Sequence, residues 1–188
     1  SGCVAGRWSP PQCGSEYPSP QCRELYAADP RWVSGMIEGV TKNLGFNFSV
    51  VYLGYQGLVE AIGAAHRARR GALYYWWEPD PLLSKYPSKK VQLPPHSVAC
   101  AARNHPDPAR SGYNCSLPVQ ALRKYMNREV YSAEPDLAFL FDRFLVDKEQ
   151  MMEMMSYITN GGGAHNLEDG TCAFLRSGSS VPWRDWLQ

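Results

Sequence analysis

Residues 46–77 contain a strand–helix–strand pattern that constrains the fold more than any other feature of the chain. Phe46 to Leu53 is rich in aromatic and β-branched residues, which predicts a strand. Leu58 to Arg70 repeats apolar residues at helical spacing, and Ala72 to Trp77 predicts a second strand. Strands joined by a helix usually pair in parallel with a right-handed crossover. We therefore expect an α/β fold with a short parallel sheet.

The regions on either side of this unit differ in composition. Residues 1–28 are rich in Cys and Pro without apolar periodicity, which predicts an extended strap rather than a domain. Regular structure is expected to begin at Asp29-Pro30, an N-cap followed by a first-turn proline, with a helix running to Leu44. The domain would then span residues 29–188. Its last third predicts helices at about 118–126, 135–144, 148–159 and 167–176. In the second of these helices we expect four apolar residues to face inward: Leu137, Leu140, Phe141 and Phe144.

The charge balance argues against nucleic acid as a partner. The chain has 188 residues, with 19 Lys and Arg against 18 Asp and Glu, giving a net charge of +1. Nucleic-acid binders usually carry a strong basic excess, so we expect no nucleic-acid partner. No apolar run is long enough to span a membrane.

Six cysteines and two sequons indicate an oxidising, secretory compartment. The cysteines are Cys3, Cys13, Cys22, Cys100, Cys115 and Cys172, and none lies in a tight pair typical of zinc sites. Their pairing cannot be deduced, but we expect local bridges Cys13–Cys22 and Cys100–Cys115, with Cys3–Cys172 tying the strap to the C-terminal helices. Asn47 and Asn114 begin glycosylation sequons. The predicted location is secreted or at the cell surface.

The densest chemical feature is the aromatic and acidic run Tyr74-Tyr75-Trp76-Trp77-Glu78-Pro79-Asp80-Pro81. It ends a predicted parallel strand, and ligands of open α/β sheets bind beyond the carboxyl ends of strands. Aromatic faces attract quaternary ammonium groups, and Glu78 or Asp80 could offset the positive charge. The alternative is a buried aromatic strand that binds nothing.

Two stretches of the chain resemble the glycine betaine/choline-type solute-binding proteins of ABC transporters. The first joins Gly54-Tyr55-Gln56-Gly57-Leu58-Val59-Glu60-Ala61-Ile62 to Ala72-Leu73-Tyr74-Tyr75-Trp76-Trp77-Glu78-Pro79-Asp80. The second includes Pro135-Asp136-Leu137, Asp147-Lys148-Glu149-Gln150-Met151-Met152, Cys172-Ala173-Phe174-Leu175 and Trp183-Arg184-Asp185-Trp186-Leu187. The resemblance covers roughly Asp29 to Gln188, and it depends on the order of these motifs.

This resemblance implies a periplasmic-binding-protein-like fold with a ligand in an aromatic box. The box residue would be Trp76 or Trp77, and the Gly54-Tyr55-Gln56 turn at a helix N-terminus would hold an anion. Asp80 stands where the family has histidine, and its carboxylate suits a cationic or hydroxylated ligand better than a betaine. The candidate ligand-binding residues are Trp76, Trp77, Tyr75, Asp80, Glu78, Gly54, Tyr55 and Gln56.

The resemblance also implies a partner. The family's first lobe would add about 80–100 residues before this point, so the domain is expected to be partial, with another chain or domain supplying the missing lobe.

Two other functions compete with solute binding. One is a structural or interaction module that keeps the fold without a ligand. The other is a carbohydrate-active enzyme using Glu78 and Asp80 as a carboxylate pair. No nucleophile or phosphate-loop motif is found, and neither a cofactor nor a metal is expected.

Overall fold

The computed structural model describes residues 5–159, 167–177 and 183–187. The chain forms two compact units. Unit 1 comprises Ser1–Trp76 and Lys89–Val119, and unit 2 comprises Trp77–Ser88 and Gln120–Gln188.

Unit 1 contains a four-stranded mixed sheet. Its strands are β1 (Arg7–Trp8), β2 (Arg23–Ala27), β3 (Phe48–Tyr52) and β4 (Leu73–Tyr74), in the order β1-β3-β2-β4. β2 pairs in parallel with both β3 and β4, whereas β1 pairs antiparallel with β3. The expected parallel sheet is therefore present, with one antiparallel edge strand added to it.

The predicted start of regular structure at Asp29 is wrong, because the segment before it supplies β1 and the central strand β2. β2 lies between β3 and β4, the two strands that the sequence predicted. The five residues of β2 show only a short alternation of polar and apolar side chains, and Pro and Cys residues flank them. The sequence therefore contains no clear indication of a strand. β4 is also shorter than predicted, so Trp76 and Trp77 lie beyond the strand.

The described residues form eight α-helices. They are α1 (Met36–Asn43), α2 (Gly54–Arg67), α3 (Pro81–Lys85), α4 (Val98–Ala101), α5 (Arg128–Ala133), α6 (Pro135–Arg143), α7 (Lys148–Thr159) and α8 (Leu167–Arg176). Short 3-10 helices cover Pro11–Cys13 and Trp183–Trp186. The helices predicted near 148–159 and 167–176 are confirmed as α7 and α8. Asp147 caps α7 by accepting a 2.8 Å hydrogen bond from the Gln150 amide.

The helix predicted to begin at Asp29-Pro30 begins instead at Met36. Asp29 accepts hydrogen bonds from the Arg31 amide at 2.8 Å and from its guanidinium, which hold the pKa of Asp29 at about 2. Gly35 then adopts φ 75°, a left-handed conformation that interrupts the helical path. A Cβ at Gly35 would lie 2.2 Å from the His105 carbonyl oxygen, so this close approach requires glycine.

Two clusters of buried residues lie in the core of the described part of unit 1. Trp8, Ala27, Val33, Ile37 and Val50 form the first cluster, between the sheet and α1. The second cluster joins Val40 and Tyr113 to the half-cystines Cys100 and Cys115. The expected disulfides Cys13–Cys22 and Cys100–Cys115 are both present. The first disulfide cross-links the segment before β2, and the second closes the loop after α4.

The third expected disulfide, Cys3–Cys172, stays a prediction. Cys3 lies outside the described residues. Cys172, on α8, forms no disulfide with any residue that the structure describes.

The regular elements described in unit 2 are all helices, and α7 packs against α3 and α8. Phe174 of α8 is 1% exposed and lies 5.8 Å from the Tyr157 ring of α7. Two predictions fail here. Residues 118–126, at the boundary of the two units, form no helix, because burial does not stabilise one there: Val119 and Leu122 are 98% and 75% exposed.

The predicted inward face of α6 is the second error. Leu137, Leu140, Phe141 and Phe144 were expected to face the interior, but α6 has no buried residue. Leu137 and Phe144 are exposed. The described part of unit 2 therefore offers no core for this face.

Candidate functional site

The carboxyl ends of the parallel strands form one edge of the sheet in unit 1. Backbone hydrogen bonds continue past the strands, with the Leu53 amide donating to Ala27 at 2.9 Å and the Tyr75 amide donating to Tyr26 at 2.9 Å. These bonds align the segments that follow β2, β3 and β4. This is the edge at which open α/β sheets bind ligands.

Two aromatic rings meet at this edge. Tyr55 lies in the first turn of α2, and Trp76 lies two residues after β4. Their ring centroids are 5.7 Å apart, with 36° between the ring planes. Tyr55 is 52% exposed and Trp76 is partly buried, so the tilted pair forms an open corner that a solute can reach.

Tyr75 has a different environment from Trp76. It packs against the cluster around Trp8 and Val50, and burial raises the pKa of its phenol. The Tyr75 amide extends the pairing of β4 by donating to the Tyr26 carbonyl, and in such extended backbone adjacent side chains point to opposite faces. Tyr75 therefore supports the aromatic corner from the core side.

Gly54 and Gln56, predicted to hold an anion, lie in the first turn of α2. The Gly54 amide donates to the Ala28 carbonyl at 3.0 Å, so this N–H is already used. The Gln56 side chain donates to Glu60 at 3.0 Å along the helix surface. What remains for an anion at this position is the positive end of the α2 dipole.

The other predicted site residues, Trp77, Glu78 and Asp80, belong to unit 2. Asp80 is the N-cap of α3 and accepts a 2.8 Å hydrogen bond from the Leu82 amide. Glu78 lies 3.5 Å from the Lys148 ammonium of α7. Both carboxylates thus make structural contacts within unit 2.

Sequence reasoning missed a buried carboxylate in unit 1. Glu38 of α1 is 3% exposed, and the Tyr52 hydroxyl donates to its Oε1 at 2.5 Å. Its Oε2 is buried and accepts no hydrogen bond from any residue in the described ranges. A single glutamate between apolar helix residues usually lies on the exposed face, so the only signal was its position between Ile37 and Val40.

The two sequon asparagines have different surroundings. Asn47 is exposed and precedes β3. Asn114 is half-buried, and its side-chain oxygen accepts a 2.6 Å hydrogen bond from Arg103. Asn47 is therefore the more accessible acceptor.

Within residues 5–159, 167–177 and 183–187, no group of three His, Cys, Asp or Glu side chains could hold a metal ion. No helix in the same ranges has the length and apolar character needed to cross a membrane.

Comparison with known proteins identifies one family. A family model described as the substrate binding domain of an ABC-type glycine betaine transport system matches residues 16–175. The match spans both units and confirms the resemblance seen in the sequence. No curated protein sequence matches the chain.

Proposed function

Because the chain belongs to the family of substrate-binding domains of ABC-type glycine betaine transport systems, we propose that it captures a small quaternary-ammonium solute at the sheet edge of unit 1. The observation that carries the proposal is the contact between Tyr55 and Trp76 at the carboxyl ends of the parallel strands. The family binds solutes for transport, so capture rather than catalysis is the expected activity.

The chemistry of the aromatic corner fits a cation without hydrogen-bond donors. A trimethylammonium group is attracted to ring faces by their quadrupole, with about 0.5–2 kcal/mol per favourable contact. Tyr55 and Trp76 offer two such faces, and the exposed Tyr55 ring leaves the approach open. The N-terminal end of α2 beside them favours any negative group that the solute carries.

Titration calorimetry with choline and glycine betaine tests the proposal. We expect heat of binding with at least one of the two solutes. Replacing one ring removes one cation–π contact, so Trp76→Ala should weaken binding about tenfold. Trp77→Ala is the matched control, because Trp77 follows Trp76 directly but belongs to unit 2. Equal, negligible effects of the two substitutions would show that the corner is not the site.

The proposed location is outside the cytoplasmic membrane, in a secreted or surface-exposed form. Family membership supports it, since these domains collect solutes for an importer, and two disulfides fit an oxidising compartment. The exposed Asn47 would carry a glycan there. Loss of a mass increment in Asn47→Gln, with Asn114→Gln compared in parallel, tests this modification.

A second candidate function is supported by the surface of unit 2. Leu137 and Phe139 of α6 are 42% and 38% exposed, and exposed apolar surface of this kind marks interaction sites. On this alternative the chain is an interaction module, and another chain or domain covers α6. No heat with any tested solute, together with a partner whose binding is lost in Phe139→Glu, would favour it over solute capture.

A further inference from the structure

Residues 118–128 combine exposed apolar side chains with positive charge. Three apolar residues of this segment are among the most exposed in the described chain: Val119 at 98%, Leu122 at 75% and Tyr125 at 86%. The segment contains no acidic residue, and its three cations are all exposed: Arg123, Lys124 and Arg128. Exposed apolar surface marks an interaction site, and the charge of this segment indicates a negatively charged partner.

The order of residues in this segment matches an amphipathic α-helix. At about 3.6 residues per turn, Val119, Leu122 and Met126 would lie on one face, with Tyr125 at its border. The opposite face would be polar throughout: Gln120, Arg123, Lys124, Asn127 and Arg128. The two arginines would border the apolar face on its two sides. This separation of apolar and basic faces is typical of helices that lie in the plane of a membrane surface.

In the structure residues 118–127 are not helical. A helix of this length is marginal in water, because its first turn is costly and few further hydrogen bonds follow. Lys124 instead lies at the C-terminal end of α6, where its ammonium donates to the Phe141 and Phe144 carbonyls and lies 4.9 Å from the centroid of the Phe141 ring. These carbonyls are neutral acceptors, so a charged lipid phosphate can replace them.

We propose that residues 118–128 dock the protein on an anionic membrane surface, where the segment folds as an amphipathic helix in the plane of the headgroups. The apolar face enters the boundary between headgroups and acyl chains, and the cations contact lipid phosphates. Arg123 and Arg128 extend to phosphates on either side of the helix, because their long stems are apolar. A plane of headgroups supplies negative charge to both borders at once, which a single acidic site does not.

Co-sedimentation of the full chain with lipid vesicles tests the proposal. One set of vesicles contains phosphatidylglycerol and phosphatidylcholine in equal parts, and the other contains phosphatidylcholine alone. We expect at least about tenfold tighter binding to the anionic vesicles, and this preference should shrink at about 0.5 M salt.

Neutralising the border cations tests the electrostatic contribution. Arg123→Gln/Arg128→Gln should weaken binding to anionic vesicles about thirtyfold, because each cation near an anionic surface contributes about fivefold. Lys89→Gln/Lys90→Gln is the matched control, since it removes the same charge from an exposed pair outside the segment. The control should weaken binding by less than about threefold.

An exchange of two side chains tests the helical arrangement. Gln120→Leu/Leu122→Gln keeps the composition and charge of the chain but moves the leucine to the polar face. Binding to anionic vesicles should weaken about tenfold, because the leucine no longer reaches the acyl chains. Both residues are exposed, so the thermal midpoint without vesicles should equal that of wild type.

Several results would overturn this inference. Equal binding to both kinds of vesicle would exclude recognition of anionic lipid, and no binding to either would leave an acidic protein groove as the partner instead. Equal losses for the Arg123/Arg128 and Lys89/Lys90 variants would show attraction by the whole protein rather than by this segment. Unchanged binding after the leucine exchange would refute the amphipathic helix.

Discussion

Removal of the Cys100–Cys115 disulfide should destabilise unit 1 by about 3 kcal/mol. The two cysteines are separated by 15 residues. Cross-linking a loop of this length lowers the conformational entropy of the unfolded chain, which stabilises the folded state by about 3 kcal/mol at 25 °C. Cys100 and Cys115 are 4% and 2% exposed, so Cys100→Ala/Cys115→Ala also removes buried sulfur atoms from the cluster around Tyr113. For a unit of this size the midpoint of thermal unfolding should fall by about 10–20 °C.

Urea unfolding followed by circular dichroism measures the effect, with Cys13→Ala/Cys22→Ala as the matched control. The control loop has a separation of 9, for which the same relation gives about 2.6 kcal/mol. Hydrogen bonds also hold the loop after α4: Lys42 donates to the Pro108 carbonyl at 2.6 Å, and Asn43 to the Ser111 carbonyl at 3.0 Å. A loss below about 1 kcal/mol for Cys100→Ala/Cys115→Ala would refute the reasoning, since these bonds would then suffice without the cross-link.

Two other predictions concern the stability of unit 1. Gly35→Ala should destabilise by about 2–4 kcal/mol in urea unfolding, because a Cβ there meets the His105 carbonyl and the backbone has positive φ. Gly45→Ala, with similar φ and open space, should lose only about 1 kcal/mol, and equal losses would contradict the close-packing argument. The hydrogen bond from Tyr17 lowers the pKa of Glu24, so its stabilising contribution is present above the unfolded pKa and is lost as pH falls through the folded value. Between about pH 5 and pH 3, wild type should therefore lose more stability than Glu24→Gln; parallel pH profiles would show that the interaction contributes nothing.

The features predicted well from sequence are those that local pattern determines. β3 lies in a run of strand-forming residues and α2 in a run with helical apolar spacing, and α7 begins at the Asp147 cap with Gln150 three residues on. The two confirmed disulfides close short loops. In each case the residues that determine the feature lie close together in the chain.

The failures arise where distant parts of the chain decide the outcome. β2 is a strand because β3 and β4 pair with both of its sides, which its own five residues do not reveal. Residues 118–126 have helical apolar spacing, but Val119 and Leu122 are exposed in the structure, so burial does not stabilise a helix there. Helix formation in proteins depends on such packing more than on propensity.

The candidate site was likewise predicted where local sequence determines it and missed where distant parts of the chain decide. The aromatic run identified Trp76, and the Gly54-Tyr55-Gln56 turn identified Tyr55, but only the fold brings their rings together. Asp80 and Glu78 were chosen as ligand contacts for their charge, and the structure gives them contacts with Leu82 and Lys148. Glu38 was missed because burial of a carboxylate is a tertiary property.

The most direct test of solute capture at the sheet edge is an NMR measurement of contacts between bound choline and the protein. The trimethylammonium protons give one sharp signal, and nuclear Overhauser effects from it report aromatic protons close to the bound solute. We predict effects to the rings of Tyr55 and Trp76 that disappear in Trp76→Ala and persist in Trp77→Ala. Contacts confined to rings of unit 2, such as Trp77, with none to Tyr55 or Trp76, would contradict the account.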